Sequence, residues 1–479
     1  MWKILLLISL FTTLLVGLWF RDGYILGTAE DGLIFYNISN YYHQAEKTWM
    51  EYPGLGSPAL SLVAAKPTLF ILSYFQQIGV PGFLIQGTVI WFLLFSASVG
   101  IILLVKELFP HLAHRYILLA SLFYWFNPIS LVDVWTRFLL NYIFFFALLP
   151  IGSYLFVKGL VSQKYKWLFV LNLVLLLYSY AFSYIAFTIL FWIWLFLITL
   201  FFILFNKIKT ERLFFARYFL FSLIIFCLVN AWWVLTLIKL NLSGGSALTT
   251  DLFVSQNNTG LLDALSRSSG SLVGVMKLLN TSFLAKDSLT WVMFYYSPVL
   301  YIFQYVIFGS ILYFIAKNKN NPLILILASL FFSVIFLAKG SNPPFGEIYT
   351  FIFSNVLILQ VFRNPFEKFG FILSLISALL LAPAIFELNK WKNNLKKLIY
   401  PIFFVYVFFY LGSPFFSGLI FTNKFPPTND YSIGYKVLVP QYYKEVNEWL
   451  ISKGNNFRYI GFPIKDEGMT YKWEKDMQE

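Results

Sequence analysis

The sequence predicts an all-α polytopic membrane protein with about eleven transmembrane helices, an extracytoplasmic first loop carrying interfacial helices, and a small soluble C-terminal tail. Three observations predict it: the composition, the spacing of uncharged apolar runs, and the placement of basic residues. Hydrophobic residues make up 59% of the 479 positions and charged residues only 12%. Soluble domains carry roughly 25% charge, so a water-soluble globule is excluded. A disordered chain is excluded as well, because that state needs few apolar residues and dense charge. A single cysteine, Cys227, lies inside an apolar run, which leaves no internal disulfide framework and no cysteine metal cluster.

An α-helix crosses the ~30 Å hydrocarbon layer in about 20 residues. Eleven stretches qualify: 3–20, 83–105, 116–133, 138–157, 167–183, 184–205, 214–238, 294–316, 322–338, 369–387 and 398–418. The pair covering 167–205 has almost no loop between its members, so its division is open. The segment from Pro67 to Ile78 is too short to span and reads as a re-entrant or interfacial helix. The first run begins like a signal peptide, but it ends in Leu18-Trp19-Phe20-Arg21-Asp22 with no small-x-small cleavage site. It reads as the first transmembrane helix.

Lys and Arg in short loops set orientation. With the N-terminus inside, the inner connections hold 16 of the 35 basic residues and only Glu107, Glu211 and Glu387 of the 22 acidic ones. That excess equals the whole net charge of +13. The basic balance is therefore a positive-inside signature facing anionic lipid. A nucleic-acid partner is not expected, since the bases form no single face and accompany no recognition motif.

The longer connections all fall on the outer side: 21–82, 239–293, 339–368 and the tail from 419 to 479. Spare residues gathered on one side point to work done on that side. In the first loop Asp22, Glu30, Asp31, Glu46 and Glu51 follow a membrane exit. Ile34, Ile38, Tyr41, Ala45 and Trp49 then recur at steps of three or four, the period of an amphipathic helix lying with its apolar side toward lipid. Asp31 is either the cap of that helix or a catalytic carboxylate, and Glu30 fits both readings because negative charge is favourable near a helix start.

In the third loop Arg363 and Lys368 stand where the tenth span re-enters the membrane, on the side that does not call for positive charge. They suit a phosphate clamp, a planar fork beside a point charge. Interfacial anchoring, or pairing with Glu367 and Glu347, accounts for them equally well. Arg137, with Asp133 as its obvious partner, is a third cation of this kind. His111 and His114 lack a third ligand, and His43 is single. No Walker loop, dinucleotide glycine pattern or nucleophile elbow occurs. Trp232 and Trp233 read as an interfacial aromatic belt.

The order of these features resembles a known family. An opening span is followed by Gly27-Thr28-Ala29-Glu30-Asp31, then Gly54-Leu55-Gly56-Ser57-Pro58 and Gly79-Val80-Pro81. Phe126-Asn127-Pro128, Leu149-Pro150, Asn230-Ala231-Trp232-Trp233, Asn342-Pro343-Pro344-Phe345-Gly346 and the Arg363–Lys368 stretch come later. Over about residues 1–420 the chain resembles the membrane α-(1→3)-arabinofuranosyltransferases of actinobacterial cell walls, and more broadly the GT-C glycosyltransferases.

The resemblance implies sugar transfer outside the cytoplasmic membrane, from a polyprenyl-phosphate donor to a glycan or glycolipid acceptor, with inversion. It implies Asp31 as general base with Glu30 as the alternative, and Arg363, Lys368 and Arg137 at the donor phosphate. A divalent cation near the base is compatible with it. Residues 1–418 then form the transferase-like domain, and 419–479 form either a small domain or the start of a longer soluble region. Two rivals of other classes are a lipid or polysaccharide flippase and a non-catalytic envelope-assembly scaffold. Few ionisable residues fall mid-membrane and no inverted repeat is evident, which counts against transport.

Overall fold

The computed structural model describes residues 2–27, 33–50, 57–58, 60–135, 138–242, 258–279, 297–390, 396–424, 432–434, 436–437, 439 and 441–453. In chain order the helices are α1 (Trp2–Phe20), α2 (Ile38–Ala45), α3 (Leu60–Gln77), α4 (Gly82–Leu108), α5 (His114–Phe126), α6 (Leu140–Ser162) and α7 (Lys166–Leu177). They continue as α8 (Ile185–Phe205), α9 (Lys209–Val229), α10 (Ala231–Leu242), α11 (Asn258–Ser269), α12 (Leu272–Met276), α13 (Pro298–Lys317) and α14 (Pro322–Ala338). Last come α15 (Gly346–Asn355), α16 (Pro365–Leu388), α17 (Lys396–Val405), α18 (Ser413–Phe416) and α19 (Gln441–Ser452).

Seven helices among the described residues are long and apolar enough to cross a membrane: α1, α4, α6, α8, α9, α13 and α16. The chain is an all-α, multi-pass membrane protein. The other four of the eleven expected segments hold no single helix of that length. The α14 helix is a single apolar helix of 17 residues. The 116–133 segment is α5 followed by a π-helix at Ser130–Trp135, and 167–183 is α7 followed by a 3-10 turn at Ser179–Ser183. The 398–418 segment is α17 running into a π-helix at Tyr406–Leu411 and then α18.

Asparagine side chains mark two of the breaks. At the Asn127-Pro128 step proline cannot donate a backbone hydrogen bond. The Nδ2 of Asn127 instead donates to the carbonyls of Phe123 and Tyr124 at 3.1 and 2.8 Å and to Ser374 Oγ at 2.6 Å. Asn230 does the same between α9 and α10, donating to Phe226 O at 3.0 Å. The expected span 214–238 is therefore two helices, and Trp233 is buried and donates to Asn230 Oδ1 rather than standing in an interfacial belt.

The core is built around α16, which is 94% buried over its most apolar stretch, and α6 at 83%; α9, at 22%, is peripheral. The α4–α6 contact is a backbone approach. A Cβ at Gly100 would lie 2.5 Å from the Ile151 nitrogen, so no larger residue fits without shifting the helices. One end of the bundle gathers basic residues and their few acidic partners. Lys158 pairs with Glu107 at 2.7 Å, while Lys317 and Lys390 both pair with Glu387, at 2.9 and 2.7 Å.

The opposite end carries the loops. The α3 helix begins at Leu60 and contains Pro67, so it is longer than the expected 67–78 segment. Its Gln76 fastens the first loop, accepting from Ser39 N at 3.0 Å and donating to Tyr36 O at 3.1 Å. Ile34, Ile38 and Ala45 are buried in the protein, not turned to lipid. A two-stranded antiparallel sheet joins β1 (Ile25–Leu26) to residues Lys436–Val437 of the tail.

Candidate functional site

At the loop end a set of buried polar side chains gathers around the first turn of α16. Asn364 precedes the helix, Pro365 sits at its start where the missing N–H costs nothing, and Glu367 and Lys368 follow inside that turn. All three polar side chains are buried. Glu367 and Lys368, although adjacent in sequence, form an ion pair. The Tyr142 hydroxyl, from the start of α6, donates to Glu367 Oε1 and accepts from Lys368 Nζ at 2.7 Å. Asn364 Nδ2 donates to the other carboxylate oxygen, Oε2, at 2.7 Å. Lys368 Nζ also lies 4.6 Å from the Tyr184 ring centroid and 5.0 Å from that of Tyr142, distances at which a cation is attracted to a ring face.

The network reaches across loops. Ser269 Oγ, at the end of α11, donates to Asn364 Oδ1 at 3.3 Å. Asn342 Nδ2 donates to Ser266 O at 2.5 Å and to Lys339 O at 3.0 Å. Gly340 lies between these segments at φ +59°, and a Cβ there would lie 2.5 Å from Ser266 Oγ. Tyr349 OH donates to Phe362 O at 3.1 Å, holding α15 against the residue before Arg363. Arg363 itself is half-buried at the end of a 3-10 helix, Leu357–Phe362. The second loop, the third loop, α6 and α16 thus meet in one connected set of polar groups.

Of the residues singled out from the sequence, Lys368 lies inside this set, and Arg363 borders it in the preceding segment. Asp31, Glu30 and Arg137 lie outside the described residues. What is described is how the chain is held just before Glu30 and Asp31. Leu26 N donates to Gln86 Oε1 at 2.8 Å, and Gln86 Nε2 donates to Leu26 O at 2.6 Å. Gln86 is itself buried in α4, so strand β1 is fixed from α4 as well as by the tail. The tail helix α19 also lies close. Burial raises the Tyr36 hydroxyl above its ordinary pKa, and Tyr443 and then Glu448 of α19 add to the rise.

Tyr142, Tyr184, Asn364 and Gln86 were not legible as site residues. A lone glutamine and two tyrosines in apolar runs carry no spacing signal, whereas the Asn-Pro step before α16 does mark a helix start. Among the described residues no group of three His, Cys, Asp or Glu side chains converges to hold a metal. Glu30 and Asp31, the carboxylates beside which a divalent cation was expected, lie outside the described residues.

Fold and site together define a polytopic all-α membrane protein with a buried cation–carboxylate centre under its loop end. The particular likeness is to an arabinofuranosyltransferase from Mycobacteria, AftD, whose cryo-EM structure superposes at a TM-score of 0.60 with 14% identity over 99% of this chain. Two structures of a variant of that enzyme match at TM-scores of 0.55 and 0.52 with 13% identity over 94% of the chain. The chain spans about a third of those proteins, 31% and 30% of their length. No protein-family model and no curated protein matches the sequence. At this identity the likeness establishes the fold, and it agrees with the resemblance carried by the order of motifs.

Proposed function

We propose that this chain is a membrane glycosyltransferase of GT-C type. It moves a sugar from a polyprenyl-phosphate donor to a glycan or glycolipid acceptor on the outer side of the cytoplasmic membrane. The observation that carries the reading is the buried Glu367–Lys368–Tyr142 centre beneath the loops, within a fold shared with an arabinofuranosyltransferase over 99% of the chain. In this reading the divided and short segments complete about eleven crossings. Residues 1–418 make the transferase domain, and Lys436–Val437 of the tail pair with β1 in the first loop.

The reaction needs one base and one cationic cradle. The carboxylate of Asp31, or Glu30 beside it, takes the proton of the acceptor hydroxyl. That oxygen bonds to the anomeric carbon as the bond from that carbon to the phosphate oxygen breaks on the opposite face. The configuration inverts, and the polyprenyl phosphate leaves with the electron pair. A positioned base contributes ~10²–10⁴-fold to such a step. Arg363, Arg137 and Lys368 stabilise the charge that develops on the phosphate, in a site screened from bulk water. Lys368 is held by Glu367 and Tyr142, so its ammonium is fixed before the donor arrives.

The test supplies candidate polyprenyl-phosphate sugars to the purified chain in proteoliposomes and analyses the products. A glycosylated acceptor formed by the native chain and lost in Asp31→Asn is the expected result. Donor movement across the bilayer with no acceptor and no product would overturn the transferase reading.

A further inference from the structure

At the basic end of the bundle, the ends of α4, α6 and α8 and the starts of α9 and α14 enclose a groove of about 400 Å³. Its mouth is polar, with Glu107, Gln163, Asn206 and Glu211, and its depth is apolar, with Phe202 and Ile326. Val161 lines the groove and is 54% exposed, so the opening reaches the protein surface beside α6. Leu108, Phe202, Leu323 and Ile326 also line a smaller void deeper in the bundle, beside Trp194 and Leu379. The apolar wall therefore continues from the mouth toward mid-membrane.

Water is a poor occupant for such a shape. Against the apolar walls formed by Phe202, Leu323 and Ile326 a water finds no protein hydrogen-bond partner, since the polar side chains stand at the mouth. A run of methylenes fills the same space without that cost. The mouth decides what such a chain carries at its end. Lys158 Nζ donates to Glu107 Oε2 at 2.7 Å, and Asn206 Nδ2 donates to Glu211 Oε2 at 2.6 Å. Arg212 Nε donates to Asn206 O at 2.6 Å. Lys158 is paired with Glu107, and against the one other carboxylate of the mouth, Glu211, stand the exposed Lys207, Lys209 and Arg212 at the start of α9, a net of two positive charges beside the opening.

We propose that this groove is a binding site for an anionic phospholipid. One acyl chain lies in the apolar depth between α6, α8 and α14, and the phosphate headgroup rests on Lys207, Lys209 and Arg212. The lipid ties the peripheral α9 to the core at the end of the bundle away from the loops. The site is independent of the transferase reading, since none of its residues belongs to the centre at Lys368.

The experiment uses the full chain, delipidated in detergent. Bound lipid is counted by native mass spectrometry during titration with phosphatidylglycerol or phosphatidylcholine of matched acyl chains, and thermal unfolding is followed in parallel. One phosphatidylglycerol is expected to bind roughly tenfold to thirtyfold more tightly than phosphatidylcholine, the preference two lysines near a headgroup provide, and to raise the unfolding temperature. The Lys207→Gln/Lys209→Gln variant is expected to lose the preference. Ile326→Trp, which fills the depth, is expected to lose the bound lipid. Val161→Trp at the exposed mouth gives the same result should Ile326→Trp not fold. Equal binding of the two lipids, or phosphatidylglycerol binding unchanged in the folded groove-filling variants, overturns the proposal.

Discussion

Lys368 Nζ lies 2.7 Å from the hydroxyl of Tyr142, which stands 226 positions earlier in the chain, and Glu367 accepts a hydrogen bond from both. The relationship ties the start of α6 to the start of α16. It also has an asymmetric energetic consequence. Removing one partner of a buried ion pair leaves the other charge uncompensated, at a cost of about 3–5 kcal/mol. Lys368→Met is therefore expected to destabilise the protein by that order in detergent unfolding. Adding Glu367→Gln to it should restore most of the loss, because the orphaned charge is gone. Additive destabilisation in the double variant would show that the two residues do not act as a pair.

Asp31→Asn is expected to lower transfer by about 10²–10⁴-fold while membrane insertion and expression stay normal, since a general base is removed and little volume changes. Glu30→Gln should cost less if Asp31 is the base. Steady-state rates of both variants with one donor decide between the neighbours, and a larger loss in Glu30→Gln would exchange their roles.

Arg363→Gln is expected to raise the donor KM by roughly 10–100-fold, the loss of a charge-assisted hydrogen bond to phosphate. Arg363→Lys should recover only part of it, because a point charge replaces a planar fork. A change confined to the acceptor KM would remove Arg363 from the donor side.

The sequence made the membrane class, the segregation of basic residues and the loop-rich end legible, because each depends on local composition. Glu107 and Glu387 do sit among the basic residues at one end, paired with Lys158, Lys317 and Lys390. The interruptions at Asn127 and Asn230 were not legible, since a hydropathy window averages one asparagine into its apolar neighbours. At the candidate site Arg363 and Lys368 stood out because positive charge on the side expected to be outer violates a rule. Tyr142 and Gln86 violate none. Their roles come from partners 226 and 60 positions away, and such pairings arise only on folding.

The last prediction concerns the strand that leads into the first-loop carboxylates. Ile25 is paired with Val437 and Leu26 with Lys436, so the tail returns to the exit of α1. Antiparallel partners have Cα atoms about 4.5–5.5 Å apart, inside the range a disulfide bridges. In a Cys227→Ser background, Ile25→Cys with Val437→Cys is expected to form an intramolecular disulfide on mild oxidation, seen as a reductant-sensitive gel shift absent from either single variant. Gln86 holds Leu26 from the other side, so the bond should leave transfer activity intact; it fixes what is already fixed. Gln86→Ala should instead lower activity, and lower it less in the cross-linked chain, because the disulfide replaces one of two restraints on the segment entering Glu30 and Asp31. A cross-link that forms and abolishes activity would mean that the tail must leave β1 during turnover.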